Sequence, residues 1–180
     1  MQKYHTHSKA SIAEVFEAIA AQIPPNIKNG GTTKINGQIV GVSSVRLRTF
    51  HKTGAACHAC GLEATHFELN RDSGGEARNA HYHLNLWGVN ADGYPVLFTH
   101  DHKLARSLGG ADNLTNTETM CSPCNAKKGK LEQKEALRLS KLEEAANPEA
   151  FAAKLKAKNA KKARAKARKA QRLLDTVTCL

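Results

Sequence analysis

Two Cys-x-x-Cys pairs govern what this chain can fold into: Cys57-His58-Ala59-Cys60 and Cys121-Ser122-Pro123-Cys124, with 60 residues between them. A structural zinc ion takes four tetrahedral ligands, and two thiolates astride a two-residue gap grip it from one tight turn. Gly61, directly after the first pair, lets the backbone turn back on the metal. One such pair alone would also suit a redox dithiol. Two pairs predict a four-thiolate zinc site that staples distant parts of the chain. The separation exceeds that of compact zinc fingers, so the residues between must form a structured insert, and the chemistry is expected there. Cys179 is left over as a free thiol.

Charge supplies the second constraint. Lys and Arg number 27 against 16 Asp and Glu, a net charge of +11. From Met1 to Ala126 there are 11 basic and 10 acidic residues, whereas Lys127 to Arg172 holds 16 basic and 5 acidic. A basic arm on a near-neutral body points to a polyanionic partner, most often nucleic acid. No stretch approaches the roughly 20 apolar residues of a membrane-spanning helix. Met1 to Ala10 is polar and His-rich rather than a secretory signal. The expected setting is therefore intracellular and cytoplasmic, where five cysteines are not a disulfide framework.

Local patterns give the order of elements. Ser11 with Glu14 fits a capping box, and Val15, Phe16, Ile19 and Ile23 recur at helical spacing until Pro24-Pro25, predicting a helix over 11–23. Lys28 to Thr33 reads as a Gly-rich loop, and Asn36-Gly37 as the turn of a short hairpin. Val42 to Phe50 suits a strand or a short helix equally. His81 to Val89 and Tyr94 to Thr99 form a second hairpin around Asn90-Ala91-Asp92-Gly93. A helix follows from about Asn125 to Ala146, with Leu131, Leu139 and Leu142 near one face, and Asn147-Pro148 ends it. Lys156 to Arg172 carries nine basic residues and no acidic one, on a filler that is mostly Ala.

Between the two Cys pairs lies the set Asp101-His102, Gly109-Gly110 and Asn116, with Asn125 directly after Cys124. A carboxylate suits a hard divalent ion such as Mg²⁺, while a neutral imidazole suits proton abstraction near neutral pH. Asn125 stands where a zinc-pinned helix would begin, and its amide oxygen could join Asp101 on the same ion.

This arrangement resembles the HNH endonucleases, closest to the phage-type and endonuclease VII-like forms, over roughly residues 51–130. Their pattern is Asp-His, a Gly-Gly turn, a central Asn, Cys-x-x-Cys followed by His or Asn, then Lys, here Lys127-Lys128. The resemblance implies an α+β protein with a ββα-metal, treble-clef type core stapled by zinc on Cys57, Cys60, Cys121 and Cys124. An N-terminal helix and hairpin (1–50) would precede the nuclease core (51–130), and a basic helical arm (131–180) would follow. It also implies the catalytic set His102, Asp101, Asn116 and Asn125. Asp101 and Asn125 would hold a catalytic Mg²⁺ or Mn²⁺, His102 would act as general base, and Asn116 would fix the loop that orients it. Products would carry a 5′-phosphate and a 3′-hydroxyl. DNA is the expected partner, contacted by Lys103, Arg106, Lys127 and Lys128 and by Lys161, Lys162, Arg164, Lys166, Arg168 and Lys169 of the arm. A homodimer is left open, and a phage or its bacterial host is the expected source.

Two positions depart from the family pattern: Ala105 stands where many relatives have Pro, and Thr117 replaces the usual Leu after the central Asn. His51, His58, His66, His81 and His100 are expected to be exposed or satisfied by ordinary hydrogen bonds. A rival of another class is a non-catalytic zinc module that binds nucleic acid. Such a binder needs the thiolates and the basic arm, but has no use for the Asp-His, Asn and Asn set.

Overall fold

The computed structural model describes residues 4–21, 31–72 and 82–177. The expected end of the first helix near Ile23, the loop from Lys28, His81 and Cys179 lie outside the described residues. Two compact units divide the chain, Met1–Glu132 and Gln133–Leu180.

The first unit is a mixed α/β structure built on a five-stranded antiparallel sheet, order β1-β4-β5-β6-β7. Its strands are β1 (Tyr4–Ala10), β4 (Ala64–Asp72), β5 (His83–Val89), β6 (Pro95–His102) and β7 (Thr117–Cys121). The expected hairpin between β5 and β6 forms, and β6 runs on through Asp101-His102. Neither β1, β4 nor β7 carries enough alternation to announce itself. The small hairpin β2 (Thr32–Ile35) and β3 (Gln38–Gly41) turns at Asn36 and Gly37, both at positive φ (49° and 76°), as a two-residue hairpin turn requires. Thr32 and Thr33, expected in a loop, belong to β2.

Two helices cover one face of the sheet. In α1 (Ile12–Ala21) the Ser11 hydroxyl caps the Glu14 N–H at 3.1 Å, and Val15 and Ile19 are fully buried. The ambiguous stretch after Val42 resolves as α2 (Val45–Thr53), capped by Ser44 on the Leu47 N–H at 3.2 Å. That cap and the one-sided burial of Leu47 and Phe50 decide for helix over strand. Phe50, Phe67, Leu69, Leu84, Leu86 and Phe98 fill the space between helices and sheet. Gly88 is required in this layer, because a Cβ there would lie 2.6 Å from the Glu63 carbonyl oxygen and 3.0 Å from the Phe98 ring.

Helix α3 (Ser122–Ala146) starts three residues earlier than its apolar pattern suggests, with Cys124 and Asn125 in its first turns. The second unit holds the remainder of α3 and then α4 (Pro148–Val177). Pro148 opens α4 as expected, and the Asn147 side chain caps the Ala150 N–H at 3.1 Å. At 30 residues α4 spans about 45 Å. No helix among the described residues is long and apolar enough to cross a membrane.

Candidate active site and metal centre

The four cysteines converge. Their sulfurs all lie within 4.8 Å of one another, and Cys60 Sγ is 3.8 Å from Cys121 Sγ. Sulfurs at about 2.3 Å from a shared tetrahedral ion lie about 3.8 Å apart, so the residues fit the metal expected of them. Local structure brings this about. The first knuckle closes with Gly61 N–H on the Cys57 carbonyl at 2.8 Å, and Gly61 takes φ 74°. His58 N–H then bonds the Thr119 carbonyl at 2.9 Å, docking that knuckle on β7 two residues before Cys121.

The sulfurs are also prepared electrostatically. Burial alone would push the Cys57 thiol up, but backbone N–H groups of Cys121, Cys60 and Ala59 bring it down to about 7. Cys121 goes the other way, because burial and the crowding thiols of Cys124, Cys57 and Cys60 hold its proton on. The Cys57 thiolate forms readily, while Cys121 and Cys124, both raised, need a cation, as expected of a metal-ligating set.

Asp101 and His102 are consecutive on β6, so pleating sends them to opposite faces. Asp101 pairs across to Glu118, and both are buried. The Lys128 ammonium, from the second turn of α3, donates to Asp101 Oδ2 and, at 2.6 Å, to the His102 carbonyl. Burial would lower the Lys128 pKa, but the Asp101 carboxylate, helped by Glu132 and Glu118, holds it above its ordinary value. Asn125 lies three residues earlier on the same helix and is half-buried. Lys128 thus brings the second turn of α3, the helix that carries Asn125, to the Asp101 carboxylate.

His102 occupies the other side of β6. Its Nε2 is 3.0 Å from Asp112 Oδ1. A carboxylate only accepts, so Nε2 carries the proton and the free lone pair is on Nδ1. The bond from His102, with Arg106 at 3.6 Å, holds the Asp112 carboxyl below its ordinary value. His100 lies on the same face, its ring centroid 5.8 Å from that of His102, and its buried Nδ1 has no hydrogen-bond partner among the described residues. Burial first, then the neighbouring His102 and Arg46, lowers the His100 pKa. The expectation that His100 would be satisfied fails at that nitrogen. It fails likewise at the buried Nε2 of His66, although the Nδ1 of that ring lies 2.8 Å from Thr65 Oγ1; His51 packs edge-on to Phe16, and the exposed His58 lies 3.5 Å from Glu118.

The loop between β6 and β7 is held by Asn116. Its amide nitrogen donates to the carbonyls of Leu104 (3.0 Å) and Ala111 (2.8 Å), and its amide oxygen accepts from the Leu104 N–H (3.0 Å). Backbone Lys103 N–H to Asn116 carbonyl, 2.7 Å, closes the loop immediately after His102. The two glycines have separate reasons. Gly109 takes φ 93° after the short 3₁₀ turn Arg106–Leu108, while a Cβ on Gly110 would fall 1.8 Å from the Leu104 carbonyl oxygen. Ala105 adopts φ −57°, the angle a Pro would impose, so the backbone keeps the shape without the ring. Thr117 is buried with its hydroxyl 2.8 Å from that of Thr49 on α2, a polar pair in place of apolar packing.

Lys103 and Arg106 are exposed on this loop, Lys127 is exposed on α3, and Lys161, Lys162, Arg164, Lys166, Arg168 and Lys169 are exposed on α4. Lys128 differs from them in being committed to Asp101. Sequence reasoning missed Asp112 and Glu118. Nothing in their spacing marks either, since one reaches His102 through a loop and the other reaches Asp101 through strand register.

Comparison with curated proteins and with solved structures gave no match. A family model does match: residues 90–131, which carry Asp101, His102, Asn116, Cys121, Cys124 and Asn125, match HNH endonuclease, bearing out the resemblance over a shorter stretch than 51–130.

Proposed function

We propose that this protein is a metal-dependent HNH DNA endonuclease that hydrolyses phosphodiester bonds to 5′-phosphate and 3′-hydroxyl ends. The observation that carries the reading is a buried Asp101 tied to Lys128 of α3, the helix that carries Asn125, beside a His102 whose Nε2 lies 3.0 Å from the Asp112 carboxylate. A structural nucleic-acid binder has no use for that combination. In this reading β6, β7 and the start of α3 are a ββα-metal, treble-clef type centre within a nuclease core of 51–130, with zinc on the four cysteines as the staple.

Asp101 and Asn125 are the oxygen ligands for Mg²⁺ or Mn²⁺, which when bound would neutralise charge on the scissile phosphate. His102 Nδ1 takes the proton of the attacking water, and the exposed Asp112 carboxylate at 3.0 Å from Nε2 stabilises the imidazolium that results. Asn116 fixes the loop and with it the imidazole. Lys103, Arg106 and Lys127 contact flanking phosphates, and the basic residues of 131–180 add affinity without chemistry.

The test is the chemistry of the ends. Nicked product should be resealed by DNA ligase without prior kinase or phosphatase treatment. Ends that ligase cannot join until they are repaired would contradict the proposed hydrolysis.

A further inference from the structure

The Lys128 ammonium occupies an unusual place. Lysines of α3 and α4 are mostly solvent-facing, yet this one is three-quarters buried, with 26% of its side chain exposed. It donates to Asp101 Oδ2 and to the His102 carbonyl, two oxygens of consecutive residues at the end of β6. Glu132, one turn further along α3, stands 3.6 Å away on its other side. Glu118, buried and paired across the strands with Asp101, adds a further negative charge within electrostatic reach. A buried carboxylate without a cation is costly, and here the chain supplies its own.

We infer that the Lys128 ammonium competes with divalent metal for Asp101, and that a divalent ion would bind by displacing it from Asp101 towards Glu132. This rests on the proposed reading of Asp101 and Asn125 as metal ligands. An ammonium and a hard divalent ion seek the same oxygens, and the two cannot share Asp101 Oδ2 without close like-charge contact. The lysine stem has four rotatable carbons and Glu132 lies next to the ammonium, so release needs only a side-chain rotation. Lys128 therefore sets how tightly the site takes metal, and keeps Asp101 ordered before metal arrives.

The experiment measures Mn²⁺ binding to full-length, zinc-loaded protein without DNA, by the loss of the free Mn²⁺ electron paramagnetic resonance signal. The unsubstituted chain is compared with Lys128→Met, Lys128→Arg and Asp101→Asn, each checked for zinc content and circular dichroism. Removing a competing unit charge at contact distance should tighten binding at least about tenfold in Lys128→Met. Lys128→Arg keeps a cation and should stay within about threefold of the unsubstituted protein, which separates charge from folding. Asp101→Asn should abolish the site. Equal or weaker binding by Lys128→Met overturns the inference while leaving the nuclease reading to the cleavage assay. Mn²⁺ binding indifferent to Asp101→Asn overturns the ligand assignment itself, and the inference with it.

Discussion

Asp101 and His102 are neighbours in sequence, yet the carboxylate turns towards Lys128 of α3 while the imidazole turns towards Asp112 of the β6–β7 loop. Strand pleating divides the two side chains between the two sides of β6, and with them the two proposed roles. Metal affinity and proton abstraction should therefore be separable by mutation.

Replacing His102 with Ala should lower the cleavage rate by about 10²–10⁴, the usual contribution of a general base. DNA affinity should hardly change, because the loss of one neutral side chain leaves the phosphate contacts in place. Single-turnover plasmid cleavage alongside a binding titration checks both halves. A parental cleavage rate in His102→Ala would make His100 the next candidate.

Asp112→Asn keeps the size of the side chain and removes its charge. The neutral amide can no longer stabilise the imidazolium, so the maximal rate should fall about tenfold or more. Mn²⁺ affinity should stay as it was, because Asp101 is untouched. A drop in metal binding that matches the drop in rate would place Asp112 in the metal site instead.

The loop offers a paired test of backbone geometry. Gly110→Ala would push a Cβ to 1.8 Å from the Leu104 carbonyl, so the backbone must shift and thermal stability should fall. Ala105→Pro, at φ −57°, should instead raise stability by about 0.4–1 kcal/mol, by restricting the unfolded chain. Thermal melts of the two variants should move in opposite directions.

Much of this site was legible in the sequence because its parts are local. Each Cys pair closes its own turn, Asn36-Gly37 and Pro148 act within a few residues, and Asp101, Asn116 and Asn125 come with a recognisable spacing. What escaped depends on long-range register. β1 pairs with β4 across about half of the first unit, Glu118 meets Asp101 only because β7 pairs with β6 in one register, and Lys128 reaches Asp101 only once α3 begins at Ser122. The Val42–Phe50 ambiguity was real, since nothing in the apolar pattern separates a short helix from a strand; the Ser44 cap and the packing of Phe50 decide it.

Metal and proton compete at the cysteine site. Cys57, with its thiol near 7, must be deprotonated to bind metal, and Cys121 and Cys124 start higher. Metal therefore binds with release of protons, and its affinity should fall as pH drops through 7 and below. Elemental analysis should find one zinc per chain at neutral pH. Zinc release on acid titration should coincide with loss of the first unit's tertiary circular dichroism. A metal-free chain that keeps that signal would show that the staple is dispensable.

The arm should supply affinity alone. Each phosphate neutralised on duplex DNA adds about −0.9 to the slope of log K against log salt. If about half of the nine basic residues in Lys156–Arg172 make such contacts, truncation after Asn147 should make the slope shallower by about 4. At low salt and saturating DNA the truncated chain should still cut. An unchanged slope would remove the arm from the interface.

The central claim is most directly tested by incubating the zinc-loaded protein with supercoiled plasmid in Mg²⁺ or Mn²⁺, beside its Asp101→Ala variant. The account predicts relaxed or linear product that requires added divalent metal and is lost in the variant. Product formed without metal, or formed equally by Asp101→Ala, would contradict it, as would intact plasmid under every metal with the folded, zinc-loaded chain.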